Sequence, residues 1–294
     1  MQIKRYKNDY FCEKMTKKEI KNKYKIEKRI ARNEYKTTVR EASDRYRDCV
    51  DEAEDKFRDA IDEAEDRYNE ALAEFYLTVG KKIPINPPKR PILEEIGNSI
   101  THGLGAAFAI VAFILMLLAC DRPIEYVSAS IYFFGMFVMF MASCLYHAFS
   151  HGSKVKRLFH RFDYSSIYLL IGATFAPVLL CFFGDLFGFV FFLVQWSIIV
   201  TGITFVSVFG PTRLKFLHIP LYILLGWSAL MLLPDMISVN IPLSLWILGG
   251  GVIYTIGIIP FAIRTRVAHF IWHFFVLAGA VIQWIGIYLY IFKF

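Results

Sequence analysis

Residues 126–149 read YVSASIYFFGMFVMFMASCLYHAF, a run that contains no Asp, Glu, Lys or Arg. At about 1.5 Å per residue a helix of that length exceeds the roughly 30 Å hydrocarbon core of a bilayer, so the run reads as a membrane span. Six further apolar stretches flank it, near 98–119, 163–183, 187–209, 215–233, 243–262 and 268–291. The 294 residues are 56% hydrophobic and 17% aromatic, with 28 Phe, and the mean hydropathy is +0.43. Those averages conceal two unlike parts, because 19 of the 33 Lys+Arg and 19 of the 26 Asp+Glu fall in residues 1–78. The charge-poor remainder is a membrane domain. The expected fold is all-α: a seven-transmembrane helical bundle with a long N-terminal cytoplasmic helix. A soluble α/β enzyme, a secreted disulfide scaffold and the usual nucleic-acid-binding domain are excluded. The net charge of +7 arises after residue 78, in loops beside lipid, so no nucleic-acid partner is expected. The five cysteines form no C-x-x-C pair, which leaves neither a zinc knuckle nor a disulfide framework.

Three segments follow from composition. Residues 1–79 are a charged helical or coiled-coil segment, residues 80–92 a Pro-rich basic linker, and residues 93–294 the seven-helix domain. The linker reads GKKIPINPPKRPI, with four prolines that no helix continues through. Upstream of it, aromatics recur every 11 residues at Tyr35, Tyr46, Phe57 and Tyr68, with Val39, Val50, Ile61 and Leu72 between them and Ala42, Ala53 and Ala64 following. Eleven residues make about three helical turns, so the stripe runs almost straight along one long helix. Residues 1–40 carry 14 Lys+Arg against 5 Asp+Glu, whereas residues 41–78 carry 14 Asp+Glu against 5 Lys+Arg. Such a helix can pair antiparallel with a copy of itself, giving a homo-oligomer, or lie singly with its stripe on the membrane domain or the lipid surface.

The loops alternate in charge. Lys81, Lys82, Lys89 and Arg90 precede the first span, Lys154, Lys156, Arg157 and Arg161 follow the second, Arg213 and Lys215 the fourth, and Arg264 and Arg266 the sixth. The positive-inside rule then places the N-terminus in the cytoplasm and the C-terminus outside. An integral membrane protein is the expectation. Loops this short confine any chemistry to the bundle or its mouth.

Ionisable side chains inside spans are costly and are functional candidates by default. Ser143 and His147 share a helix face at the end of the second span, and His269 and His273 are likewise four residues apart at the start of the seventh. At about 1.5 Å per residue, His269 and His273 lie roughly 4 and 10 Å from Arg266, His147 roughly 10 Å from Lys154, and Asp163 two residues from Arg161. All four sites therefore fall in one slab at the cytoplasmic end. Three imidazoles with an open position for water suit catalytic zinc. For Asp163 the alternatives are an ion pair with Arg161 or a cap on the third span, and for Ser143 ordinary helix packing. Glu95, Asn98 and His102 share a face at the start of the first span, where they form either another metal-ligand group or a hydrogen-bond network locking that span to its neighbours. His151, His160 and His218 read as solvated. The glycines of the spans, among them Gly103, Gly105 and Gly249 to Gly251, read as sites of close helix packing.

Glu95-x-x-Asn98-x-x-Thr101-His102, Ser143-x-x-Tyr146-His147, Asp163-Tyr164-Ser165 and His269-x-x-x-His273 together resemble the signature of the progestin and adipoQ receptor family, in its bacterial hemolysin III branch. The resemblance covers about residues 93–292, and it alone implies a bacterial plasma membrane and a membrane lipid as substrate or ligand. It implies a seven-helix bundle with Zn2+ held by His147, His269 and His273, with Asp163 holding a water at the zinc and Ser143 behind it. The site is also similar to that of alkaline ceramidases, which implies hydrolysis of a lipid amide or ester within the membrane. Two functions are compatible with these residues: a zinc-dependent membrane hydrolase with Asp163 as general base, and a receptor-like regulator of membrane state in which zinc is structural.

Overall fold

The structure, a computed structural model, describes residues 16–78, 87–211, 215–262 and 267–293. The basic residues Lys81, Lys82, Arg213, Arg264 and Arg266 and most of the Pro-rich linker lie outside them. Residues 1–84 and 85–294 form two compact units.

In the first unit, helix α1 runs unbroken over Lys17–Thr78, 62 residues, or about 93 Å. Its start is a capping box. The Thr16 hydroxyl accepts from the Glu19 backbone N–H at 3.4 Å, while the Glu19 carboxylate accepts from the Thr16 N–H at 2.7 Å and from its hydroxyl at 2.8 Å. Those donors hold the Glu19 carboxyl below its ordinary range.

Among its described residues the second unit is a bundle of seven spans, each long and apolar enough to cross a membrane: Ile92–Ala119, Pro123–Ala148, Lys154–Phe183, Leu186–Phe209, Leu217–Val239, Ile241–Ala262 and Ala268–Phe292. They are built by α2 (Ile92–Ala119), α3 (Pro123–Ala148), α4 (Lys154–Pro177), α5 (Leu186–Phe209), the pair α6 (Lys215–Trp227) and α7 (Ala229–Val239), α8 (Ile241–Ala262) and α9 (Ala268–Ile287). Tight turns between the spans supply caps for the helix ends. Glu125 accepts from the backbone N–H groups of Asp121 and Arg122 at 2.8 and 3.0 Å, Ser153 from Lys156 N–H at 3.0 Å, and Asp185 from Gly188 N–H at 2.8 Å. Beyond Pro177 the third span widens into a π-helical turn, Val178–Phe183, which ends at Gly184 with φ of 62°. The fifth span is broken at Ser228.

Helix α2 packs on α3 and α9, α3 on α4, α4 on α5 and α6, and α8 on α7 and α9. Glycine allows the closest approaches. A Cβ on Gly135 of α3 would meet the Ala173 Cβ of α4 at 2.3 Å, and one on Gly250 of α8 would meet Gln283 Cγ of α9 at 2.2 Å. Gly105 is similarly tight against Phe140, whereas Gly251 faces open space, so the packing role holds for some of the span glycines and not for all. The bundle therefore brings the starts of α2, α4 and α9 beside the end of α3.

Candidate metal centre

Helix rotation decides which polar groups of that end meet. The i, i+4 spacing puts His269 and His273 on the face of α9 that meets α2 and α3, and their Nε2 atoms are 3.2 Å apart. His147 arrives from α3, and one ring nitrogen of each of the three histidines lies within 4.8 Å of the other two. His147 and His273 are buried, 3% and 1% exposed. The structure thus assembles His147, His269 and His273 into a group able to hold a metal ion.

Three observations bear on whether zinc fits. Nitrogens on a tetrahedral zinc, with Zn–N of about 2.0–2.1 Å, are about 3.3 Å apart, close to the His269–His273 separation. The Nε2 of His147 is buried with no hydrogen-bond partner. Its Nδ1 donates to Glu95 Oε2 at 2.5 Å, which places the proton on Nδ1 and leaves the Nε2 lone pair free for a cation. A carboxylate behind a ligating imidazole is the usual way to fix tautomer and ring orientation. The donor set fits zinc.

Glu95 is the centre of the supporting network. Its other oxygen accepts from Lys156 Nζ at 2.7 Å, and the same ammonium donates to the Phe149 carbonyl at 3.0 Å and lies 4.9 Å from the centre of the Tyr146 ring. The Lys156 side chain is 1% exposed and that of Glu95 14%, so the pair is desolvated and depends on this complete satisfaction. Asn98, wholly buried, reaches His147 Nδ1 at 3.4 Å while its Oδ1 has no partner. With the proton on Nδ1, the complementary amide orientation turns the oxygen toward the ring. Glu95 and Asn98 therefore lock α2 to α3 and α4, the network alternative of the sequence reading. His102 does something different: its ring stacks on His273 with centroids 3.8 Å apart, and Phe140 meets it edge-on.

Asp163 and Ser143 lie beside the histidines on the wall of a cavity of about 190 Å³, and the Ser143 side chain approaches the Asp163 carboxylate. Arg161 donates instead to the Ser207 carbonyl at 2.8 Å. From His269 and His273 the cavity extends past Trp272 and Val276 to Gln283, about 20 Å along α9. Among the described residues lining it, Asp163 is the one with a charged side chain.

Two histidines differ from expectation. His160 is 7% exposed and stacks on Tyr146, and His218 is wholly buried with Nδ1 at 3.0 Å from the Tyr168 hydroxyl. Neither is solvated, because basic neighbours in sequence do not determine which side of the helix a residue occupies. Lys156 was missed for the same reason. Its signal was position: it stands four residues before His160 on one face of α4.

Residues 91–284 match the haemolysin-III related family. The chain belongs to that family. It is 32% identical to "Hemolysin-3" of Bacillus cereus over 207 residues, 68% of this chain and 93% of that one. It is 31% identical to "Hemolysin-3 homolog" of Bacillus subtilis (strain 168), over 69% of this chain and 96% of that one. "Monocyte to macrophage differentiation factor" of Homo sapiens is 27% identical over 74% of this chain and 94% of its own. The progestin and adipoQ receptor resemblance is thereby borne out. All eight candidate residues, from Glu95 to His273, fall inside the haemolysin-III match, whereas α1 falls outside it.

Proposed function

We propose that this haemolysin-III family member is a zinc-dependent intramembrane hydrolase of a lipid amide or ester. The observation that carries the reading is the shared cavity: an apolar channel long enough for a lipid chain opens onto a wall where Asp163, Ser143, His269 and His273 converge. Bound zinc would supply a Lewis acid that polarises a carbonyl and acidifies water. The apolar wall holds the chain and excludes bulk water from the reacting end. The Asp163 carboxylate takes the proton of the attacking water and returns it to the leaving amine or alkoxide. Ser143 orients that carboxylate. Glu95, backed by Lys156 and Asn98, keeps His147 in the tautomer that presents Nε2.

A second reading, a regulator of membrane state with structural zinc, is favoured by the same buried Glu95–Lys156 network, which would let a metal tie α2, α3, α4 and α9 together. Turnover of a panel of lipid amides and esters by the purified protein, with and without chelator, tests the first reading; no chelator-sensitive turnover would leave the second. We also propose that the site faces the cytoplasm, because the basic loops lie at that end.

A further inference from the structure

Helix α1 carries an apolar stripe that the described residues of its own unit leave exposed. Tyr24, Tyr35, Tyr46, Phe57 and Tyr68, each 11 residues from the next, are 62, 71, 74, 69 and 62% exposed. Helices derive most of their stability from packing an apolar face, so a 62-residue helix of this kind calls for a partner.

The stripe itself selects one. In the three central repeats, which start at Tyr35, Tyr46 and Phe57, it places an aromatic at the first position, Val or Ile four residues on, and Ala seven residues on. Reversing chain direction maps the aromatic position onto itself and exchanges the other two. In an antiparallel pair, aromatics therefore meet aromatics and branched side chains meet alanines; in a parallel pair in register, valine crowds valine and alanine faces alanine. Large against small is the arrangement that interdigitates. With Tyr46 facing its own copy, Tyr35 lies opposite Phe57, Tyr24 opposite Tyr68, Val39 opposite Ala53, Val50 opposite Ala42 and Ile61 opposite Ala31.

Charge selects the same register independently. Residues 17–40 then lie opposite residues 52–75: the first segment has ten Lys+Arg and three Glu, the second ten Asp+Glu and three Lys+Arg, so net +7 faces net −7. A parallel pair would set +7 against +7. Sliding the antiparallel pair by one repeat keeps the size match but shortens the overlap and weakens the charge match. We propose that α1 pairs antiparallel with α1 of a second copy of this chain, about a two-fold axis at Tyr46.

The test uses the full chain in lipid vesicles, with Cys12 and Cys49 changed to Ser, single cysteines introduced as Tyr46→Cys, Tyr24→Cys or Tyr68→Cys, and a short bis-maleimide. Dimer is counted above that formed by the protein with no cysteine in α1. Tyr46→Cys is expected to cross-link to itself. Tyr24→Cys is expected to cross-link only when mixed with Tyr68→Cys, since its own two copies stand about 66 Å apart in this register. Self-linking of Tyr24→Cys as readily as Tyr46→Cys would mean a parallel pair and overturn the proposal. So would a Tyr46→Cys yield no greater than background, as expected of a helix lying alone on lipid or on its own membrane domain.

Discussion

Glu95→Gln probes the candidate metal centre without touching a ligand. In the native site one carboxylate serves two buried donors, His147 Nδ1 at 2.5 Å and Lys156 Nζ at 2.7 Å. An amide has one oxygen, so whichever donor keeps it, the other faces an NH2 group. If Lys156 keeps the oxygen, His147 loses the acceptor that fixes its proton on Nδ1, and zinc affinity should fall about 10–100-fold, or roughly 1.4–2.7 kcal/mol. If His147 keeps it, the Lys156 ammonium, 1% exposed, loses its counter-charge, and about 3 kcal/mol or more of stability goes with it. Adding Lys156→Met separates the two effects. The double variant should recover melting temperature, because no orphaned ammonium remains, while the zinc affinity stays low if His147 still lacks its carboxylate. The assays are chelator competition for zinc and thermal unfolding in one detergent. Zinc affinity and melting temperature both unchanged in Glu95→Gln would refute the argument.

The remaining predictions concern ligands, base and orientation. The double substitution His269→Ala, His273→Ala should abolish zinc binding and His147→Ala should weaken it greatly; full occupancy of the double variant by elemental analysis would sink the three-histidine site. Asp163→Asn should keep its zinc and lose lipid turnover by about 10²-fold or more. Unaltered turnover with zinc bound would remove Asp163 as the base and favour the structural reading. Reporter fusions should place the N-terminus in the cytoplasm and Phe294 outside, and both ends on one side would contradict the proposed topology.

The spans were legible because a bilayer demands about 20 apolar residues whatever surrounds them. Their polar ends were less so. The third span begins at Lys154 rather than near 163, since Lys156 and His160 are buried by partners on α2 and α3 that hydropathy cannot register. The fifth continues to Val239 rather than stopping near 233, carrying Pro234 and Asp235 within α7. The histidine triad was readable from spacing and depth alone, two quantities that a helix fixes locally. The roles of Lys156, His160 and His218 depend on helix rotation and on contacts across the bundle, which spacing does not encode.

Charge balance links the supporting network to the metal. Glu95 pairs with Lys156 and Glu94 with Arg90 at 3.5 Å, so those two carboxylates already have their cations, and Asp163 is the remaining acid among the described residues of this part of the bundle end. That carboxylate faces a cavity whose other described lining residues are uncharged, and Arg161, its nearest cation in sequence, donates to Ser207 instead. An ionised carboxylate at an apolar wall is costly unless a cation lies close. A divalent ion on the three histidines would supply that cation. On this account the acid and the imidazoles form one electrostatic unit, and chelation should lower the melting temperature of the wild-type protein more than that of Asp163→Asn, whose neutral amide has no charge left to compensate. Equal losses in the two proteins would show that Asp163 and the metal site act independently.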